Sequence, residues 1–208
     1  MKNSIKELFT GWKTVPNLLS FLRILMVPLF AYLFMKKSYV PAVAVLALSG
    51  LTDFFDGKIA RKFNQISALG KILDPLADKL TQITIAVIFY ITFSSSSDSL
   101  VKSFSFVFLI FIIKEAVMVI GSVIMLSIGL RPGAAELPGK VATFAFYLIM
   151  IAIILFGPDI GILKDTLFTL PSLVMVILIS LSAVLCVISF FSYMPDVVRQ
   201  LKEKKNAG

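Results

Sequence analysis

Four aspartates lie within 26 residues of this chain and could together do chemistry. Asp53 and Asp56 are spaced i, i+3, and Asp74 and Asp78 are spaced i, i+4, so each pair lies on one face of a helix. Four carboxylates held close together repel one another and need a neutralising partner. Oxygen-only ligation is typical of hard divalent cations, and two ions about 3.5–4 Å apart suit displacement at phosphorus. The pattern predicts a site for two magnesium or manganese ions.

Small residues lie in phase with the aspartates. Gly57 and Ala60 share the face of the first pair, and Gly70 shares the face of the second. Such residues let a ligand or a neighbouring helix approach closely. Arg61 has the forked geometry that binds phosphate. The alternative is that the carboxylates only cap helices or form salt bridges at a helix–loop–helix turn, which explains one aspartate better than four.

The residue inventory excludes several kinds of catalytic site. The chain has no histidine and a single cysteine, Cys186. It therefore lacks a Ser-His or Cys-His pair for covalent catalysis, and direct displacement is favoured. A carboxylate close to the metal is the remaining candidate for a general base.

The positions of these residues depend on apolar segments. Of the 208 residues, 58% are apolar, compared with about 45–50% in soluble domains. The excess falls in six blocks, of which the second and third are short and run into the charged stretch that holds the aspartates. Because a helix crosses a bilayer with about 20 apolar residues, we predict an all-α integral membrane protein with six transmembrane helices.

Three segments are predicted along the chain. Residues 1–14 form an interfacial amphipathic helix, or alternatively a frayed basic tail, because their apolar residues recur at helical spacing. Residues 15–194 form one transmembrane domain, and residues 195–208 form a basic cytoplasmic tail. The net charge of +8 is spread around apolar blocks, which indicates anionic lipid headgroups and not nucleic acid as the partner.

The basic residues predict the orientation in the cell membrane. With six spans both termini share a side, and that side carries fourteen lysines and arginines outside the spans, against four on the other. Basic residues accumulate on the cytoplasmic side of membrane proteins. Both termini and the aspartate cluster are therefore expected to be cytoplasmic.

The aspartate segment resembles the CDP-alcohol phosphotransferase family. The family motif D-x2-D-G-x2-A-R-x8-G-x3-D-x3-D is matched at every position and spacing, by Asp53, Asp56, Gly57, Ala60, Arg61, Gly70, Asp74 and Asp78. Pro16-Asn17 followed by Arg23 is similar to the opening of the family's first helix. Residues 70–79, Lys114-Glu115 and Gly139-Lys140 resemble the phosphatidylglycerophosphate synthase and cardiolipin synthase branches.

The resemblance implies roles for these residues. It implies that Asp53, Asp56, Asp74 and Asp78 ligate the metal and that Asp78 is also the general base. The donor would be CDP-diacylglycerol and CMP a product, with the donor bound by Gly57, Ala60, Arg61, Gly70 and Asn17. Members are commonly homodimers, which makes a homodimer an expectation here.

The acceptor is predicted from three cations. Arg23, Lys114 and Lys140 are candidates to bind a small anionic alcohol; for Arg23 and Lys114 the alternative is an internal polar contact. Glycerol-3-phosphate is the first candidate and phosphatidylglycerol, giving cardiolipin, the second. This chain has Gly-Lys-Val-Ala-Thr where phosphatidylglycerophosphate synthases often have Gly-Lys-x-Lys-Thr, so both acceptors stay open. A divalent-cation transporter is a remote alternative, because it would leave Arg61 and the small residues unexplained.

Overall fold

The computed structural model describes residues 14–63, 67, 69–130, 137–158, 160–164 and 166–207. Within these ranges only the backbone is described at residues 53, 54, 56–58, 60, 61, 71, 72, 126 and 207. The predicted interfacial helix at residues 1–14 lies outside the described residues, apart from Thr14. The described part forms seven α-helices and contains no β-strand. Their bounds are α1 Val15–Met35, α2 Tyr39–Lys62, α3 Gly70–Ser94, α4 Ser99–Phe104, α5 Val107–Ser127, α6 Leu137–Phe156 and α7 Ser172–Ala207.

Within the part of the chain that the structure describes, five helical stretches are long and apolar enough to cross a membrane. They are Val15–Met35, Leu73–Ser94, Ser99–Met125, Leu137–Phe156 and Ser172–Asn206. The expectation of an all-α integral membrane protein is therefore confirmed. The remaining predicted span, the second along the chain, corresponds to α2. Its apolar stretch Tyr39–Thr52 is shorter than the other five and ends where the charged residues begin. The count of six remains a prediction.

The chain divides into two compact units, Met1–Thr84 and Ile85–Gly208. In the first unit α1 packs against α2. Thr14 caps α1, because its hydroxyl accepts a hydrogen bond from the Asn17 N–H at 3.3 Å. Three residues then connect α1 to α2, so the two helices form an antiparallel hairpin. Phe30 and Phe34 of α1 are buried, and the Phe34 ring meets the Tyr39 ring edge-on.

In the second unit α7 packs against α4, α5 and α6. A chain of buried phenylalanines fills its interior: Phe89, Phe93, Phe108, Phe111 and Phe146, with neighbouring ring centroids 5.0–6.1 Å apart. Asp98 caps α4 by accepting a hydrogen bond from the Leu100 N–H at 2.8 Å. Hydrogen bonds lower the pKa of the Asp98 carboxyl. The largest effect comes from the Ser172 side chain and the next from the Leu100 N–H.

The basic end of the chain is helical. Helix α7 has 36 residues, which corresponds to about 54 Å at 1.5 Å per residue and exceeds the roughly 30 Å of a bilayer core. Residues 195–207, most of the predicted tail, therefore continue the last helix. Lys204 of this extension donates a hydrogen bond to the main-chain carbonyl of Ile128 just beyond α5. This contact ties the two helix ends together within the second unit.

Candidate active site

Helix α3 holds the second aspartate pair. Asp74 and Asp78 both lie on α3, one helical turn apart and half-buried. Pro75 follows Asp74 within the helix, and it removes one N–H from the hydrogen-bonding ladder there. The predicted common face of these two carboxylates is confirmed by the helix that carries them.

Helix α2 holds the first aspartate pair. The backbones of Asp53, Asp56, Gly57, Ala60 and Arg61 are helical and lie in its C-terminal half. Their side chains are outside the described part of the structure. Their spacing on a continuous helix keeps the predicted shared face for Asp53, Asp56, Gly57 and Ala60.

Helix α1 is adjacent to both halves of the motif. Asp53 follows the start of α2 by 14 residues, and Ser20 precedes the end of α1 by 15 residues. In an antiparallel hairpin these positions lie at nearly the same height, because every helical residue rises about 1.5 Å. Ser20 in turn donates a hydrogen bond to the Asp74 carboxylate. The fold of the first unit thus brings the backbone of Asp53 and the side chain of Asp74 to the same level along α1.

A small hydrogen-bond network fixes the start of α3 against α1. The Ser67 hydroxyl donates to the Asn17 side-chain oxygen at 2.9 Å and accepts from the Gly70 N–H at 2.9 Å. Asn17 is only 5% exposed, so this network is internal. Gly70, whose N–H takes part in this network, is the first residue of α3. Asn17, predicted to bind the donor, therefore has a structural contact with the motif in this structure.

Gly70 is the position in this network where a side chain would not fit. A Cβ built there would lie 2.5 Å from the Asn17 side-chain oxygen and 3.1 Å from the Ser67 hydroxyl. We expect Gly70→Ala to lower the free energy of unfolding by about 1–3 kcal/mol, the usual cost of inserting a carbon into a packed interior. Thermal unfolding in detergent measures this effect.

Gly50→Ala on α2 is the matched control for that substitution. A Cβ at Gly50 meets nothing within 4 Å, and alanine favours a helix over glycine by up to about 1 kcal/mol. This control should be neutral or stabilising. Equal stability changes in the two variants would refute the close approach at Gly70.

The three predicted acceptor-binding cations lie in different surroundings. Arg23 on α1 is 2% exposed and interacts with other residues. Lys114 on α5 is largely buried and forms an ion pair with the adjacent Glu115. Lys140 near the start of α6 is exposed. Arg23 belongs to the first unit, and the two lysines belong to the second.

Polar residues of α7 lie near the Lys114–Glu115 pair. The Lys114 ammonium is within electrostatic range of Cys186 and Tyr193. A Cβ at Gly139 would lie 2.8 Å from the Tyr193 hydroxyl oxygen, so Gly139 lets α6 and α7 approach there. The sequence patterns did not single out Tyr193, because nothing in its local spacing separates it from the other aromatic residues.

Three residues of the first unit were also missed by the sequence patterns. Ser20 contacts Asp74, and Ser67 contacts Asn17 of α1. The Gln82 amide donates a hydrogen bond to an Asp78 carboxylate oxygen at 2.8 Å. Among the described side chains no group of three acidic, histidine or cysteine residues forms a metal-binding cluster. Asp53 and Asp56, half of the predicted ligand set, are not among those side chains.

The architecture is that of an all-helical membrane protein with paired aspartates on two helices beside α1. The family model for CDP-alcohol phosphatidyltransferase matches residues 13–191. The chain therefore belongs to the CDP-alcohol phosphatidyltransferase family, as the motif predicted.

Several curated proteins are similar to part of this chain. A cardiolipin synthase (CMP-forming) of Streptomyces coelicolor is 49% identical over 73 residues, which cover 32% of this chain and 34% of that protein. The rat cardiolipin synthase (CMP-forming) is 54% identical over 68 residues, covering 32% and 22%. A CDP-diacylglycerol–glycerol-3-phosphate 3-phosphatidyltransferase of Aquifex aeolicus is 47% identical over 66 residues, covering 32% and 37%. The aligned segment thus spans about a third or less of each relative.

Proposed function

We propose that this chain transfers a phosphatidyl group from CDP-diacylglycerol to an alcohol and releases CMP. The observation that carries the proposal is the complete eight-position motif, lying on helices α2 and α3 of a chain that belongs to the family. The names of the three relatives support it, since each describes a CMP-forming or CDP-diacylglycerol-dependent synthase of a phospholipid.

The carboxylate ligands of the motif fit a divalent metal. Asp74 and Asp78 supply carboxylate oxygens from one face of α3, where they accept hydrogen bonds from Ser20 and Gln82 respectively. Hard cations prefer such oxygen ligands. We assign Asp53, Asp56, Asp74 and Asp78 to two magnesium or manganese ions. When bound, the ions would offset the negative charge of the pyrophosphate.

The reaction is a single displacement at the lipid-linked phosphorus. Asp78 accepts the proton of the acceptor hydroxyl, whose oxygen then attacks that phosphorus. The bond between this phosphorus and the oxygen of the CMP phosphate breaks, and CMP leaves. Gly57 and Ala60 give the cytidine room, and Arg61 binds phosphate. Gly70 and Asn17, the other two residues assigned to the donor, meet at the start of α3 and hold that end of the site against α1. The described side chains include no histidine or thiolate beside these aspartates that would form a covalent intermediate.

The acceptor is a glycerol hydroxyl carried by a phosphate-containing molecule. Glycerol-3-phosphate and phosphatidylglycerol share this chemistry, and the relatives' names cover both reactions. Lys114 and Lys140 are assigned to the acceptor phosphate as the cations of the second unit that the sequence singled out. Lys140 is exposed near the start of α6, and Lys114 would exchange its ion pair with Glu115 for the phosphate. Arg23, the third predicted cation, would act on the acceptor only through a rearrangement that exposes it.

An acceptor competition tests this assignment. Purified protein with CDP-diacylglycerol and magnesium is offered glycerol-3-phosphate, phosphatidylglycerol, inositol phosphate and serine, and the new lipid is identified by mass. We expect product from one of the two glycerol-based acceptors. Lys140→Ala should raise the KM for that acceptor by a larger factor than the KM for the donor. Serine or inositol phosphate as the preferred acceptor would contradict the assignment.

The proposed topology places both termini and the aspartates on the cytoplasmic side of the cell membrane. Single cysteines at Lys36, Ser97 and Asn206, in a Cys186→Ser background, can be labelled with an impermeant reagent. If α2 and α3 both cross, Lys36→Cys and Ser97→Cys react from outside and Asn206→Cys only from inside. Opposite sides for Lys36→Cys and Ser97→Cys would show that α2 and α3 do not both span. Labelling of Asn206→Cys from outside, with Lys36→Cys and Ser97→Cys reacting only from inside, would reverse the orientation. Homodimer formation, expected from the family, is measured by the mass of the protein in detergent.

A further inference from the structure

Buried neutral side chains donate hydrogen bonds to Asp74 and to Asp78 on α3. The Ser20 hydroxyl contacts an oxygen of Asp74, and Ser20 is completely buried at 0% exposure. The Gln82 amide donates to an oxygen of Asp78 at 2.8 Å, and Gln82 is 6% exposed. Ser20 reaches its partner from another helix, 54 residues away, whereas Gln82 lies one turn further along α3.

These contacts set the orientation of each carboxylate. The last torsion of an aspartate side chain is broad and roughly two-fold, so the plane of the carboxylate has little intrinsic preference. A hydrogen bond from a buried donor restricts that torsion and so determines where the second oxygen faces. Serine and glutamine are uncharged, so these two donors can orient the carboxylates without adding positive charge of their own.

The Ser20 hydroxyl has a choice of acceptors. It lies 2.9 Å from the main-chain carbonyl of Pro16 as well as in contact with Asp74. A serine hydroxyl carries one proton, so it donates to one of the two at a time. The carbonyl of Pro16 is the ordinary partner of a helical serine one turn later. Donation to Asp74 is therefore the interaction that a purely local helix would not require.

We propose that Ser20 and Gln82 are positioning residues that orient Asp74 and Asp78 toward the divalent metal. The proposal rests on the metal site assigned above. Hydrogen-bond partners of metal ligands typically contribute 10–100-fold to metal affinity. Ser20 and Gln82 thus act on the metal through the aspartates and do not touch it themselves.

Three substitutions separate this role from a general contribution to packing. Ser20→Ala and Gln82→Met remove the two donors. Thr81→Val is the matched control, because Thr81 lies on α3 between Asp78 and Gln82 and is 3% exposed. Its hydroxyl donates its proton to the main-chain carbonyl of Ala77 at 2.8 Å. The control therefore loses a buried hydroxyl beside the site while keeping both aspartate contacts.

The test measures Mn²⁺ affinity by titration of the purified protein in detergent without lipid substrate, together with thermal unfolding in EDTA. We expect Ser20→Ala and Gln82→Met each to weaken Mn²⁺ binding about tenfold or more, and Thr81→Val to bind within about twofold of the unaltered protein. Unchanged affinity in the first two variants, with or without a lower unfolding temperature, would overturn the proposal. So would an equal loss in Thr81→Val. An unaltered protein that binds no Mn²⁺ would instead contradict the metal site itself, and the positioning role would fall with it.

Discussion

Asp78→Asn is expected to lower kcat by about 10²–10⁴, the usual contribution of general acid–base catalysis. Asparagine keeps the shape of the side chain but cannot accept the proton of the acceptor hydroxyl. Donor binding should survive, since Asp53, Asp56 and Asp74 still offer carboxylates to the metal. The measurement is the rate of CMP release together with CDP-lipid binding at saturating metal.

Asp53→Asn should behave differently, because Asp53 is assigned as a metal ligand only. We expect this variant to weaken metal and CDP-lipid binding together. Asp196→Asn is a suitable control, as Asp196 pairs with Arg199 in the extension of α7 and should leave both quantities unchanged. If Asp78→Asn and Asp53→Asn lose donor binding alike, Asp78 has no separate role and the four aspartates form one metal site.

Removal of divalent metal should abolish activity completely. Four carboxylates on two helices beside α1 would repel one another without a cation, and the pyrophosphate of the donor would add further negative charge. Incubation with EDTA should therefore stop CMP release, and magnesium or manganese should restore it. Calcium is a useful comparison, because its larger size and looser geometry test how strictly the site selects the smaller ions. Full activity in thoroughly chelated protein would exclude the metal assignment.

The sequence predicted the helices and the helical faces of the motif well, because both depend on local patterns. Long apolar blocks indicate membrane-spanning helices, and a spacing of three or four residues places Asp74 and Asp78 on one face of α3. The family resemblance was equally accessible, since its motif lies within a short stretch of chain. The number of membrane-spanning helices was harder to predict, because the apolar stretch Tyr39–Thr52 is short for a bilayer.

The partners of the motif could not be predicted from the sequence. Ser20 contacts Asp74 across 54 residues, and Asn17 contacts Ser67 across 50. Periodicity identifies the face that a helix presents but not which residue of another helix lies opposite. Arg23 shows the same limit: its charge within an apolar helix was compatible with a ligand contact or an internal polar contact, and its burial was not visible in the sequence.

The most direct test of the account follows the lipid-linked phosphate of the donor. CDP-diacylglycerol labelled at that phosphate is incubated with purified protein, magnesium and the preferred acceptor, and the label is traced. We predict that it appears in a new phospholipid in a one-to-one ratio with CMP, and only when the acceptor is present. Intact CDP-lipid with every acceptor, or release of labelled phosphatidic acid without one, would contradict phosphatidyl transfer as the function of this chain.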